Sequence, residues 1–88
     1  MRVWEKNPNM LIPYYLMFSY LYYEKDISLI EDTEFDKLCR TLLEKYDSVE
    51  HMHKHLVSKE SLTAGTGYDI VYTNMIKDSA MKLKESWK

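Results

Sequence analysis

The chain has 88 residues, enough for one domain and too few for two. Hydrophobic residues make up 45% and charged residues 30%, with 2 Gly and 2 Pro, so collagen-like and linker-like chains are excluded, as is a multidomain enzyme. Twelve bases against 14 acids give a net charge of −2; a protein that lives on nucleic-acid phosphates usually shows a basic excess, and this one does not.

The charge is graded along the chain. Residues 1–23 carry +1, residues 24–50 carry −5 and residues 51–88 carry +2. That gradient is too weak for a DNA-binding surface, and Lys77, Lys82, Lys84 and Lys88 read as solvation of the last helix. The single cysteine, Cys39, argues against a disulfide-stapled secreted domain and for a reducing compartment. The longest nearly apolar run, Met10 to Tyr23, is broken by Pro13 and Ser19 and is shorter than the ~20 residues of a spanning helix. Residues Met1 to Lys6 lack the apolar core of a signal peptide. The expectation is a cytoplasmic protein that neither crosses nor binds a membrane.

In chain order, residues 1–9 read as an irregular arm ending in Asn9, a candidate N-cap. A first helix is predicted from Leu11 to Tyr23, with Pro13 tolerated in its first turn, where a missing N–H costs little. This helix is apolar nearly all round, so it is either deeply packed or partly a binding surface. Residues 24–31 form a connector. A second helix is predicted from Asp32 to Tyr46, because Phe35, Leu38, Cys39, Leu42 and Tyr46 fall on one face. Its acids lead and its bases follow, which suits the helix macrodipole.

Residues 47–57 give no clear pattern. Ser58 is a candidate cap for a short helical turn that Gly65 ends. Gly65-Thr66-Gly67 reads as a turn, and Tyr68 to Tyr72 as a candidate short strand. A last helix is predicted from Thr73 or Asn74 to Glu85, with Ile76, Ala80 and Leu83 on its buried side. The fold class is mainly α: one small compact helical domain over residues 1–88, with residues 47–88 packing on the helix pair of residues 11–46.

The first helix crowds Tyr14, Tyr15, Phe18, Tyr20, Tyr22 and Tyr23 into ten positions. Six rings on one short helix point in every direction, so they should not all enter one small core. Either the helix is sandwiched between two packed surfaces, or some rings form a platform for a flat heterocycle or a pyridinium cation. Asp32 and Asp36, one turn apart, sit at the edge of the stripe that holds Phe35. They read either as a favourable helix start with an Asp36–Arg40 pair, or as acceptors aimed at a ligand's hydroxyls or amide.

The remaining candidates are weaker. His51, His53 and His55 would share a face in a strand, but no cysteine lies near them and no H-E-x-x-H is present, so no metal site is expected. Gly65-Thr66-Gly67-Tyr68 lacks the third glycine of a dinucleotide fingerprint, and no G-K-[ST] follows. Cys39 lies on the buried stripe and reads as core. No catalytic constellation emerges.

The stretch from Tyr20 to Leu38 resembles the N-terminal Ia domain of bacterial NAD-dependent DNA ligases. Members carry a tyrosine-rich helix, a short connector, and a helix start of the form Ile-x-Asp-x-Glu-Tyr-Asp-x-Leu. Here the same spacing reads Ile30-Glu31-Asp32-Thr33-Glu34-Phe35-Asp36-Lys37-Leu38, without a gap. The likeness covers residues 11–46. In that family the Ia domain is a small helical module that closes over the nicotinamide mononucleotide half of NAD. By position, the resemblance implies ligand contacts at Tyr22, Tyr23, Asp32, Phe35 and Asp36. Phe35 stands where the family has Tyr, Tyr23 where many members have His, and Ile27-Ser28-Leu29 where an Asn-Pro turn is usual.

This chain has no K-x-D-G nucleophile motif; Lys77-Asp78-Ser79-Ala80 does not match it. The resemblance therefore implies a non-catalytic, ligase-related module of a phage-type protein. It would need no cofactor and would bind a nicotinamide nucleotide, NMN or NAD, weakly. The alternative expectation is an interaction or inhibitor module that docks on a host or phage protein, such as a ligase or a defence factor, with no small ligand.

Overall fold

A computed structural model describes residues 3–51, 54–57, 59–64 and 72–87. Its centre is a helix whose sequence leaves it no polar face. Helix α2 (Leu11–Lys25) follows a short helix α1 (Val3–Lys6) and a 3-10 turn (Pro8–Met10). Every residue from Tyr15 to Leu21 is buried, so α2 is enclosed on all sides. Pro13 lies in its first turn, as predicted.

Three groups of residues enclose α2. Helix α3 (Asp32–Lys45) contributes Leu38, Cys39 and Leu42, with Phe35 and Tyr46 half-buried at the ends of the same stripe. Helix α5 (Asn74–Ser86) is the largest neighbour of α2 and buries Ile76 and Ala80, while Leu83 is half-buried. The N-terminal arm contributes Trp4. A short helix, α4 (Lys59–Ala64), packs on α3.

Five of the six crowded aromatic rings are covered and one stays outside, so they do not all enter the core. Tyr15, Phe18 and Tyr20 are buried, Tyr14 and Tyr23 are half-buried, and Tyr22 alone of the six is exposed. Tyr14, Phe18 and Tyr20 find partners from distant segments. Trp4 meets Tyr14 at 5.0 Å and Phe18 at 5.6 Å, Trp87 meets Phe18 at 5.6 Å, and Tyr72 meets Tyr20 at 5.4 Å, all between ring centroids. Tilted and edge-on rings at these separations are the favoured geometry.

The first helix runs two residues past its predicted end. It stops where Asp26 adopts a left-handed conformation (φ 56°, ψ 39°), one of the few non-glycine types that tolerates it. The N–H groups of Asp26 and Ile27 both donate to the Leu21 carbonyl, closing the helix end. The connector then turns back, with Ser28 Oγ donating to the Ile30 carbonyl at 2.7 Å and the Ile30 side chain buried. Helix α3 opens at Asp32 as predicted, and α5 is capped by Thr73, whose Oγ1 accepts from the Ile76 N–H.

Three expectations need correction. The N-terminal arm is not irregular but holds α1 and the 3-10 turn. Asn9 does not cap α2; Asn7 caps the 3-10 turn, and the Asn9 Oδ1 accepts from the Glu50 N–H at 2.8 Å. Among the described residues, no ion pair joins Asp36 to Arg40, whereas Lys59 and Asp47 do pair, at 3.0 Å. Residues 47–57, patternless in sequence, bury Val49 and Val57, and the Tyr46 hydroxyl donates to the Val57 carbonyl.

The described residues include no β-strand. Of the candidate strand at 68–72, Tyr72 alone is described, and it has no regular structure. Ser58 and the Gly65-Thr66-Gly67 turn lie outside the described residues, as does His53. No helix among the described residues is long and apolar enough to cross a membrane.

Candidate functional site

The left-handed turn at Asp26 sends the chain back so that the last turn of α2 faces the first two turns of α3. The last turn of α2 presents Tyr22 and Tyr23, and the start of α3 presents Asp32, Phe35 and Asp36. These five residues line one open pocket of about 250 Å³. They are the five positions that the resemblance implies, and the fold brings all of them together.

The pocket has an aromatic side and an acidic side. Tyr22 and Tyr23 meet edge-on, with centroids 5.0 Å apart and planes at 64°. Tyr22 keeps 45% of its surface exposed at the mouth. Phe35 lies parallel to the buried Tyr15, which backs it from the core. Asp32 and Asp36 are exposed and one helical turn apart. Neither is held in an ion pair or a hydrogen bond among the described residues, so both carboxylates can accept from a ligand.

A smaller hollow adjoins the pocket and shares Tyr22, Asp32 and Phe35 with it. The connector residues Ser28, Leu29 and Ile30 reduce it to about 10 Å³, room for a water molecule at most. The pocket is therefore closed on its connector side and open toward solvent.

The layer beneath the pocket consists of protonated groups. Burial, and then the Asp36 carboxylate nearby, push the Cys39 thiol up to about 12. Burial likewise raises the Tyr15 and Tyr72 phenols, with the neighbouring Ser19 hydroxyl offsetting part of the rise in each. At neutral pH none of the three supplies a nucleophile or base. Tyr15 is the contributor that sequence reasoning did not single out. It is one of the six crowded rings of α2, but a helix apolar all round has no periodicity to show which rings turn inward, and nothing local pairs it with Phe35.

The other candidates do not converge. His51 is half-buried and His55 is exposed. Among the described residues, no group of three His, Cys, Asp or Glu side chains is placed to hold a metal ion. No known protein family, curated protein or solved structure matches this chain.

Proposed function

We propose that the chain is a non-catalytic module that binds a nicotinamide nucleotide weakly through the pocket between α2 and α3. The observation that carries this reading is the convergence of Tyr22, Tyr23, Asp32, Phe35 and Asp36 on one open pocket. In this reading the rings stack on or enclose the nicotinamide, whose pyridinium charge suits an aromatic face. Asp32 and Asp36 accept hydrogen bonds from ribose hydroxyls or the carboxamide.

The pocket's size sets the expected strength. At about 250 Å³ it falls below the ~300–1,000 Å³ of sites that enclose a drug-sized ligand. It holds part of a nucleotide and leaves the rest in water. The expected Kd is therefore ~0.1–1 mM or weaker, about 4–5.5 kcal/mol of binding. A reducing cytoplasm, whether of a bacterium or of a phage-infected cell, is the setting this reading assumes.

The test is a protein NMR titration with nicotinamide mononucleotide, then NAD, into the millimolar range. Saturable shifts centred on the five pocket residues support the reading. A flat titration sinks it and favours the second reading, a docking module for a host or phage protein. One observation favours that alternative: Tyr22 is a large aromatic left 45% exposed, and tyrosines in such positions often anchor interfaces.

A further inference from the structure

The pocket between α2 and α3 is lined by rings and carboxylates alone. No lysine, arginine or histidine is among its lining residues. Asp32 and Asp36 are exposed and engage no partner among the described residues, so no cation compensates either charge.

The surroundings carry the same sign. The end of α2 and the connector add the exposed Glu24, Asp26 and Glu31 against the exposed Lys25. Lys37 lines, with Glu34, a separate concavity against the N-terminal arm. Arg40 lies one turn beyond Asp36 and forms no ion pair with it. The N-terminus of α3 offers about half a positive charge. Glu31 and Asp32, at that same terminus, set two full negative charges against it.

These charges treat the parts of a nucleotide differently. The oxidised nicotinamide ring is a pyridinium cation, attracted by the aromatic rings and by the carboxylates. A phosphate monoester carries about −1.5 to −2 at pH 7. When ribose hydroxyls reach Asp32 and Asp36, the phosphate on that ribose stays within the Debye length of ~8 Å, so salt does not hide it from the carboxylates. No residue lining the pocket neutralises it. Taking the pocket as the nicotinamide site proposed above, we infer that it selects the phosphate-free pyridinium nucleoside, an oxidised nicotinamide ring carrying only its ribose, over the nucleotide.

The test uses the full chain, isotopically labelled, and three probes titrated separately: nicotinamide riboside, NMN, and the reduced riboside, whose ring is neutral. The amides of Tyr23, Phe35 and Asp36 report occupancy. At low salt the riboside should bind about threefold or more tighter than NMN, since each exposed charge pair is worth roughly two- to fivefold. It should exceed the reduced riboside by a similar factor. Raising the salt to about 1 M, where the Debye length is about 3 Å, should bring riboside and NMN together. So should the double variant Asp32→Asn, Asp36→Asn, which keeps an acceptor at both positions and removes both charges. Riboside binding with no response to NMN would be the same preference at its extreme, and would narrow the nucleotide reading to the nucleoside. NMN bound as tightly as the riboside would overturn the inference and leave the nucleotide reading standing. So would a preference that survives in the Asn variant or at high salt, or equal binding of the two ribosides. Absence of saturable change with all three probes would overturn both.

Discussion

Phe35 lies stacked on Tyr15, with ring centroids 5.9 Å apart and planes 17° from parallel. One ring lines the pocket, and the other is 1% exposed in the core. The pocket's aromatic wall is thus an extension of the hydrophobic core rather than a mobile surface side chain. Tyr15→Ala should destabilise the fold by about 3–5 kcal/mol, the range for deleting a large buried ring. Phe35→Ala, at a half-buried position, should cost less while removing nucleotide-induced shifts. Urea unfolding separates the two effects. A Tyr15→Ala loss below about 1 kcal/mol would show that Phe35 needs no such backing.

The carboxylates should behave in the opposite way. Asp32 and Asp36 are exposed and engage no partner among the described residues. Their main structural contribution is to the start of α3, where an acid is worth about 0.3–1 kcal/mol. The double variant Asp32→Ala, Asp36→Ala should therefore stay folded with a stability loss of about that size. Its binding of nicotinamide mononucleotide should fall about tenfold or more, since hydrogen bonds to charged groups contribute roughly 1.5–3 kcal/mol. Titration of the folded variant checks this, and wild-type affinity would remove both residues from the site.

The helix pair was legible because its information is local. The α3 stripe repeats at helical spacing, which marks the helix, whereas the grouping of Tyr22 and Tyr23 with Asp32, Phe35 and Asp36 is what the resemblance implies; the residues alone leave them open between packed rings with a favourable helix start and a ligand-binding face. What could not be read depends on distant pairs. An apolar helix has no periodicity to say which side is covered, so the partners of Phe18 and Tyr20 (Trp4 and Trp87, and Tyr72) were invisible. Val49 and Val57 sit in segments without a pattern, and Tyr46 fixes one of them through a hydrogen bond across 11 residues. Asn9 has the local signature of a cap but serves a bond to Glu50, 41 residues away. The expected Asp36–Arg40 pair failed because spacing permits an ion pair between exposed chains without making it favourable.

Phe18 joins the two ends of the chain. Trp4 and Trp87 each meet its ring edge-on, at 5.6 Å and 82°. Phe18→Ala should cost about 3–5 kcal/mol and loosen both termini together. Trp87→Ala should cost less, because Trp87 is half-buried and closes the end of α5. Hydrogen exchange should show faster opening of α1 and of the last turn of α5 in the Phe18 variant, and of α5 alone in the Trp87 variant. Loosening confined to one terminus in Phe18→Ala would contradict a shared anchor.

Alkaline pH should unfold the protein through the layer beneath the pocket. Cys39 has an ordinary value of 9.0 and is pushed up to about 12 in the fold, first by burial and then by Asp36. Between those values the unfolded chain sheds the thiol proton while the folded chain keeps it. The unfolded state then binds fewer protons, so stability falls as pH rises. Below the unfolded value the contribution is fully present. Tyr15 and Tyr72, raised chiefly by burial from an ordinary value of 10.0, add to the loss at still higher pH. The urea midpoint should therefore be steady near about pH 8 and decline from about pH 9 upward. Cys39→Ala should lower the midpoint at every pH through the lost side chain but flatten its decline between about pH 9 and 10, where the thiol is the main titrating group. A decline equally steep in that variant would clear Cys39 of the effect. The same burial predicts that a thiol reagent near neutral pH modifies Cys39 only as fast as the protein opens, and modification at the rate of a free thiol would contradict its place in the core.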